Sequence, residues 1–290
     1  MISAKLVKEL REMTGAGMMD CKKALVETNG DLEAAVVWLR ENGITKAQKK
    51  AGRVAAEGVC AFVVKGNKAV IYEVNSETDF VARNEVFQNL VSNIGEAIVN
   101  SDITNPEEAV NAKLGEETVQ EMLVNGIATI GENLTLRRVN IVEKTDDQIF
   151  GTYSHNNGMI AVLTVLEGNN EEVAKDVCMH IAAMNPKYLD RSSVDAEYLE
   201  QERQILVNET LNEGKPEHIV DKIVEGKVQK LLKGICLVDQ EFVKDPDLTV
   251  GKYAEKHNSK IISFVRLEVG EGIEKKAEDF AAEVMAAVNA

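Results

Sequence analysis

Aromatic side chains are scarce, 4% of the chain with a single tryptophan, so a ring set outside an evident core stands out. Cysteine is scarcer still. Cys21, Cys60, Cys178 and Cys236 are widely scattered and include no CxxC pair, which argues against a disulfide framework or a thiolate metal site and for buried thiols. Positive charge is in deficit: 33 Lys and Arg face 48 Asp and Glu, and the formal charge of −15 opposes attraction to phosphate backbones. No direct nucleic-acid partner is therefore expected. No run of about 18 apolar residues occurs, so neither a membrane-spanning helix nor a membrane partner is expected. The N-terminal MISAKLVKELREM is amphipathic and mixed in charge, unlike a secretory signal, and a cytoplasmic protein is expected.

Signatures of chemistry are missing as well. There is no GxxxxGK[ST] phosphate loop, no GxGxxG after a strand, no HExxH and no GxSxG. His155, His180, His218 and His257 lie far apart, and His180, inside an apolar helical stretch, reads as a core residue with a satisfied ring. The chain reads as a binding protein, not an enzyme, with no catalytic residue, no metal ligand and no cofactor.

What is present is an α+β pattern. In residues 1–53, Ser3 can cap a helix carrying Leu6, Val7, Leu10 and Met13, TGAG breaks it, and a second helix carries Met18, Cys21 and Leu25. Asp31 can cap a third, with Leu32, Ala35, Val36 and Leu39 inward and Gly43 as its expected stop. Its GAGMMD turn and GDLEAAVVWL helix resemble the ubiquitin-associated three-helix module. The basic run TKAQKKAGR then reads as a solvated linker helix.

Residues 54–144 form a first core subdomain: two β-rich runs meet at Gly66 and Asn67, a helix carries Phe87, Leu90, Ile94 and Ile98, and NLTLRRVNIVE supplies a third strand. The same order returns over 145–270, and a shift of 91 residues lays KAVIYEV on MIAVLTV. Two related three-stranded antiparallel sheets with helices are expected. An arm inserted at 195–233 reads as an antiparallel helical hairpin, with Gly214 and Pro216 at its turn. Leu199, Leu206 and Leu211 are expected to stripe one of its helices, and Ile219, Ile223, Leu231 and Leu232 the other. A C-terminal amphipathic helix is expected over 271–290.

NSETDFVARN, at 75–84, places Phe80 beside Asp79 just after an apolar strand. Either the ring staples the following helix to the sheet, or it is presented as a wedge to a partner.

Six blocks in one order decide a resemblance that spans nearly the whole chain: VKELREMTGAGMMDCKKAL, KKAGRVAAEG, EVNSETDFVARN, MHIAA, GKP, and FVRLEVGEGIEK with DFAAEV. Together they resemble the bacterial translation elongation factor Ts family. The resemblance implies a guanine nucleotide exchange factor for the GTPase elongation factor Tu, promoting GDP release during translation elongation. It implies that Thr78, Asp79, Phe80 and Val81 insert beside the Mg²⁺ site of the GTPase and that Met18 and Met19 contact its nucleotide-binding domain. His155 aligns with a family histidine that approaches the partner's other end, although SHNNGM departs from the pattern after it. The resemblance permits a homodimer or a 2:2 complex. Two other classes stay open: an adaptor whose N-terminal module binds ubiquitin-like or nascent-chain partners, and an enzyme with an unfamiliar site between the two halves.

Overall fold

The computed structural model describes residues 2–274. Of the expected C-terminal helix, 275–290 lie outside the described residues, and 271–274 are turn and irregular chain. Three helices come first, α1 (Ala4–Thr14), α2 (Met18–Glu27) and α3 (Leu32–Lys50). Ser3 Oγ accepts the Leu6 N–H and Asp31 Oδ1 the Ala34 N–H, so both expected caps are made. Val7, Leu10, Cys21, Ala24, Leu25 and Ala35 form the small core among them.

Gly43 does not stop the third helix. α3 continues through it to Lys50, because Gly43 is where α3 lies against a later helix: a Cβ there would sit 3.5 Å from that of Ala128. A glycine with a helix on one side and a neighbour on the other shortens the interhelical distance instead of ending the helix. The basic run is consequently helical to Lys50 and partly paired, with Lys46 Nζ 2.8 Å from Asp20.

The chain continues as β1 (Glu57–Lys65), β2 (Lys68–Ser76), the single turn α4 (Asp79–Ala82), α5 (Glu85–Asn100), the short pair β3 (Lys113–Leu114) and β4 (Glu117–Thr118), α6 (Val119–Ile130) and β5 (Thr135–Glu143). Then come β6 (Gln148–His155), β7 (Ile160–Glu167), α7 (Glu171–Met184), α8 (Ala196–Asn212), α9 (Glu217–Ile235), the short pair β8 (Glu241–Phe242) and β9 (Asp245–Thr249), α10 (Val250–Lys256) and β10 (Lys260–Glu268). The fold is thus mixed helix and sheet. Two three-stranded sheets have the orders β1-β2-β5 and β10-β7-β6, so the second strand in chain order is central in each. β6 and β7 are antiparallel, in register from Gln148 opposite Glu167 to His155 opposite Ile160.

Two compact units divide the chain. One takes Met1–Val59, Tyr72–Val139 and the segment beginning at Glu268; the other takes Cys60–Ile71 and Asn140–Leu267. In the first, α5 buries Phe87, Leu90, Ile94 and Ile98, α6 buries Val119, Leu123 and Ile127, and the Tyr72 hydroxyl donates to Val91 O at 2.8 Å. In the second, Val162, Leu166, Val177, Ile181, Leu237 and Phe242 belong to one core. His180 is fully buried beside that core, with Nε2 2.9 Å from Gln240 Oε1 and Nδ1 accepting the Val243 N–H. That acceptance leaves the proton on Nε2, a neutral ring with both nitrogens satisfied. Burial lowers its pKa, against the opposing effect of Gln240.

The helical hairpin α8–α9 turns at Gly214, where φ is +74°, and Pro216 is the residue before α9. Its seam differs from the expected one. α9 buries Val220, Val224, Val228 and Leu232, while Ile219, Ile223 and Leu231 are only half-buried and Leu211 on α8 is exposed. The valines recur every four residues and so follow one continuous ridge, whereas the larger residues flank it.

Candidate functional site

β2 is among the most buried strands of the chain, and it ends directly in the segment 75–81. Its one acidic residue, Glu73, is wholly buried. The Glu73 carboxylate accepts from Arg137 Nη1 at 3.0 Å, Arg138 Nε at 2.5 Å, the Gly270 N–H at 2.8 Å and Asn75 Nδ2 at 2.9 Å. Burial alone would raise its pKa, but the Gly270 N–H, the Asn75 amide and the Arg138 guanidinium outweigh burial and hold the carboxyl below its usual range. A buried carboxylate with four donors fixes the strand that carries the loop.

Past β2 the backbone turns under a reciprocal pair of carboxylates. Glu132 Oε2 accepts the N–H groups of Glu77 and Thr78, each at 3.0 Å, and Oε1 accepts the Thr78 hydroxyl at 2.7 Å. In return, Glu77 Oε1 accepts the Asn133 N–H at 2.6 Å, and Asn133 Nδ2 donates to Arg53 O at 2.8 Å. Thr78 Oγ1 also accepts the Val81 N–H, which makes Thr78 the cap of α4. Ala82 is buried under α4, and Gln88 donates to its carbonyl. Phe80 points the other way. At 82% exposure it is the most exposed large apolar side chain among the described residues, so it does not staple α5 to the sheet. Asp79 is half-buried and pairs with Arg83 at 3.2 Å, within the same turn.

The other expected residues sit elsewhere. Met18 and Met19 open α2, 52% and 74% exposed. They belong to the same unit as Thr78–Val81, on a different element. His155 ends β6 in the other unit, exposed, with Nδ1 3.3 Å from the Tyr153 hydroxyl. Nothing local in the sequence singles out Glu73, Glu77 or Glu132, because the main partners of each lie 54 or more residues away.

Residues 77–271 match the family model for elongation factor TS, beginning at Glu77 of the carboxylate pair. The chain is also 54% identical to elongation factor Ts of Acholeplasma laidlawii (strain PG-8A) over 293 aligned positions, which cover 99% of each.

The chain belongs to the elongation factor Ts family.

As a member of the elongation factor Ts family it is a factor of protein biosynthesis. The family match contains Thr78–Val81, Glu132 and His155, and the full-length similarity extends over the N-terminal helices that carry Met18 and Met19. Among the described residues no group of three or more His, Cys, Asp or Glu is placed to hold a metal ion, and all four cysteines are buried and outside any disulfide. No described helix is long and apolar enough to cross a membrane.

Proposed function

We propose that the protein is a guanine nucleotide exchange factor for elongation factor Tu and that it releases GDP by inserting the turn Thr78–Val81 beside the Mg²⁺ site of that GTPase. One observation carries the reading: in a member of the elongation factor Ts family, Phe80 stands 82% exposed on a turn whose base is held by hydrogen bonds on its inner side. A rigidly presented ring enters a pocket with little ordering cost, and burying it contributes about 1.5–3 kcal/mol.

GDP in a GTPase is held by Mg²⁺ at its phosphate and by backbone N–H groups of the phosphate loop. A ring that occupies the space of the Mg²⁺ ligands removes the strongest local charge in that site. Asp79 is an acceptor whose exposed pair with Arg83 is easily exchanged for a partner's donor. Met18 and Met19 are flexible apolar side chains suited to a contact that persists while the partner changes shape. His155 supplies a second, separate contact. By linkage, a thousandfold weakening of GDP requires about 4 kcal/mol of mutually exclusive contacts, more than Phe80 alone provides.

The test is the decay of fluorescence from elongation factor Tu loaded with a fluorescent GDP. Decay should accelerate with added protein and accelerate less with Phe80→Ala. Decay indifferent to the wild-type protein refutes the reading.

A further inference from the structure

We infer that Glu132 is a positioning residue for exchange: its carboxylate holds the base of α4 and thereby sets the direction in which Phe80 is presented. This rests on the exchange reading above.

Three donors converge on the one side chain, the Glu77 N–H, the Thr78 N–H and the Thr78 hydroxyl. A fourth contact runs the opposite way, from the Asn133 N–H to the Glu77 carboxylate. All of them grip residues 77 and 78, immediately before α4, and none involves the outward face that carries Asp79 and Phe80. The grip is needed because α4 is a single turn of four residues, Ala82 is its only buried residue, and one helical turn has no stability of its own. Glu132 comes from 54 residues further along the chain, on the segment between α6 and β5. It therefore ties the turn to a separate element that the partner need not touch. Without Glu132, three of the bonds at the base of α4 are lost and Phe80 is directed only by the weaker set that remains, the Asn133 N–H on Glu77, the Ser76 hydroxyl on Thr78 O and the Gln88 contact with Ala82, so the lost order must be restored at each encounter with the partner.

The experiment is a mutant cycle on GDP release from elongation factor Tu at saturating full-length protein, with amide hydrogen exchange on the same variants. Glu132→Ala should slow release about tenfold, a change of about 1.4 kcal/mol, and Glu132→Gln, which keeps one acceptor oxygen, should fall between it and wild type. In the Phe80→Ala background the same Glu132→Ala change should alter release less than about twofold, because its effect passes through the ring. The amides of Glu77 and Thr78 should exchange about tenfold faster or more in Glu132→Ala, while those of Val70–Tyr72 in β2 stay unchanged. Wild-type release by Glu132→Ala, or an equal loss in both backgrounds, overturns the inference and leaves the exchange reading standing. If the wild-type protein fails to stimulate release, the exchange reading falls, and unchanged amide exchange at Glu77 and Thr78 then overturns the positioning role by itself.

Discussion

One oxygen of Glu132 accepts the Thr78 hydroxyl at 2.7 Å while the other accepts the Thr78 N–H at 3.0 Å, so a single side chain satisfies both donors of one residue. Thr78 is meanwhile the cap of α4 through the same hydroxyl oxygen. Thr78→Ala removes the cap and the hydroxyl bond together. A lost cap costs about 1 kcal/mol, and a hydrogen bond to a charged acceptor about 1.5–3, part of which water returns at this half-buried position. A loss of about 2 kcal/mol is expected by urea denaturation, against less than about 0.5 for Thr78→Ser. Equal stability of the two variants would contradict the bonding described.

Phe80 and Asp79 should separate stability from activity. The ring is 82% exposed and Asp79 pairs only with Arg83 of its own turn, so each alanine variant should unfold within about 0.5 kcal/mol of wild type. Both should slow nucleotide release from elongation factor Tu, Phe80→Ala by about tenfold or more, because the burial that is lost occurs only in the complex. Stopped-flow release with unfolding curves on the same preparations checks this. A variant that loses stability and release in proportion would point to a fold defect.

Acid should weaken the fold in two stages. His180 has its pKa lowered from the ordinary 6.5, burial being the main cause, so the buried neutral ring is stabilising above that value and its contribution is lost as pH falls below it. Glu73 has its pKa lowered from the ordinary 4.5: its donors outweigh burial, its contribution is complete above 4.5, and it disappears as pH falls through the depressed value. Glu73→Gln should cost about 3 kcal/mol at neutral pH, since two guanidinium groups lose their buried counter-charge, and should flatten the second stage. His180→Gln should flatten the first. Thermal midpoints measured against pH for the three proteins test the assignment, which fails if either variant keeps the stage attributed to its residue.

How far the fold was legible depended on whether the deciding contact was local. Caps at Ser3 and Asp31, the turn at Gly66 and Asn67 and the break at Gly214 act within a few residues, and each was readable. Phe80 stood out by scarcity, but its exposure was not readable: with Val81 and Ala82 directly after it, a ring stapling the next helix and a ring turned outward have the same local sequence, and only the fold separates them. His180 was readable as core because its helix is apolar. By contrast, nothing local marks Glu73 within its strand, because its guanidinium partners lie 64 and 65 residues further on. Glu132 was invisible for the same reason. On α9 two apolar stripes overlap, and residue size favoured Ile219 and Ile223 where packing had selected Val220 and Val224. Gly43 misled because a helix stop and a close helix crossing use the same residue.

Gly43 can be tested for which of those two roles it plays. It lies within α3, is buried, and a methyl group built on it would meet Ala128 Cβ at 3.5 Å and Val124 Cγ1 at 3.8 Å, ordinary contact distances. Its backbone conformation is helical, so an alanine there is unstrained and gains the helix-propensity difference, about 0.8–1 kcal/mol. Gly43→Ala should therefore stabilise the protein by about 0.5–1 kcal/mol. A residue that terminated the helix would respond in the opposite direction. Gly43→Leu adds volume that the contact with α6 cannot hold, and should cost about 1–3 kcal/mol. The only tryptophan of the chain, Trp38, lines the cleft between α3 and α6 together with Gly43 and Ala128. Its emission should match wild type in the alanine variant and shift to the red in the leucine variant, as the two helices part and water reaches the indole. Destabilisation by alanine with unchanged emission would show that the glycine serves its own backbone and not the approach of α6.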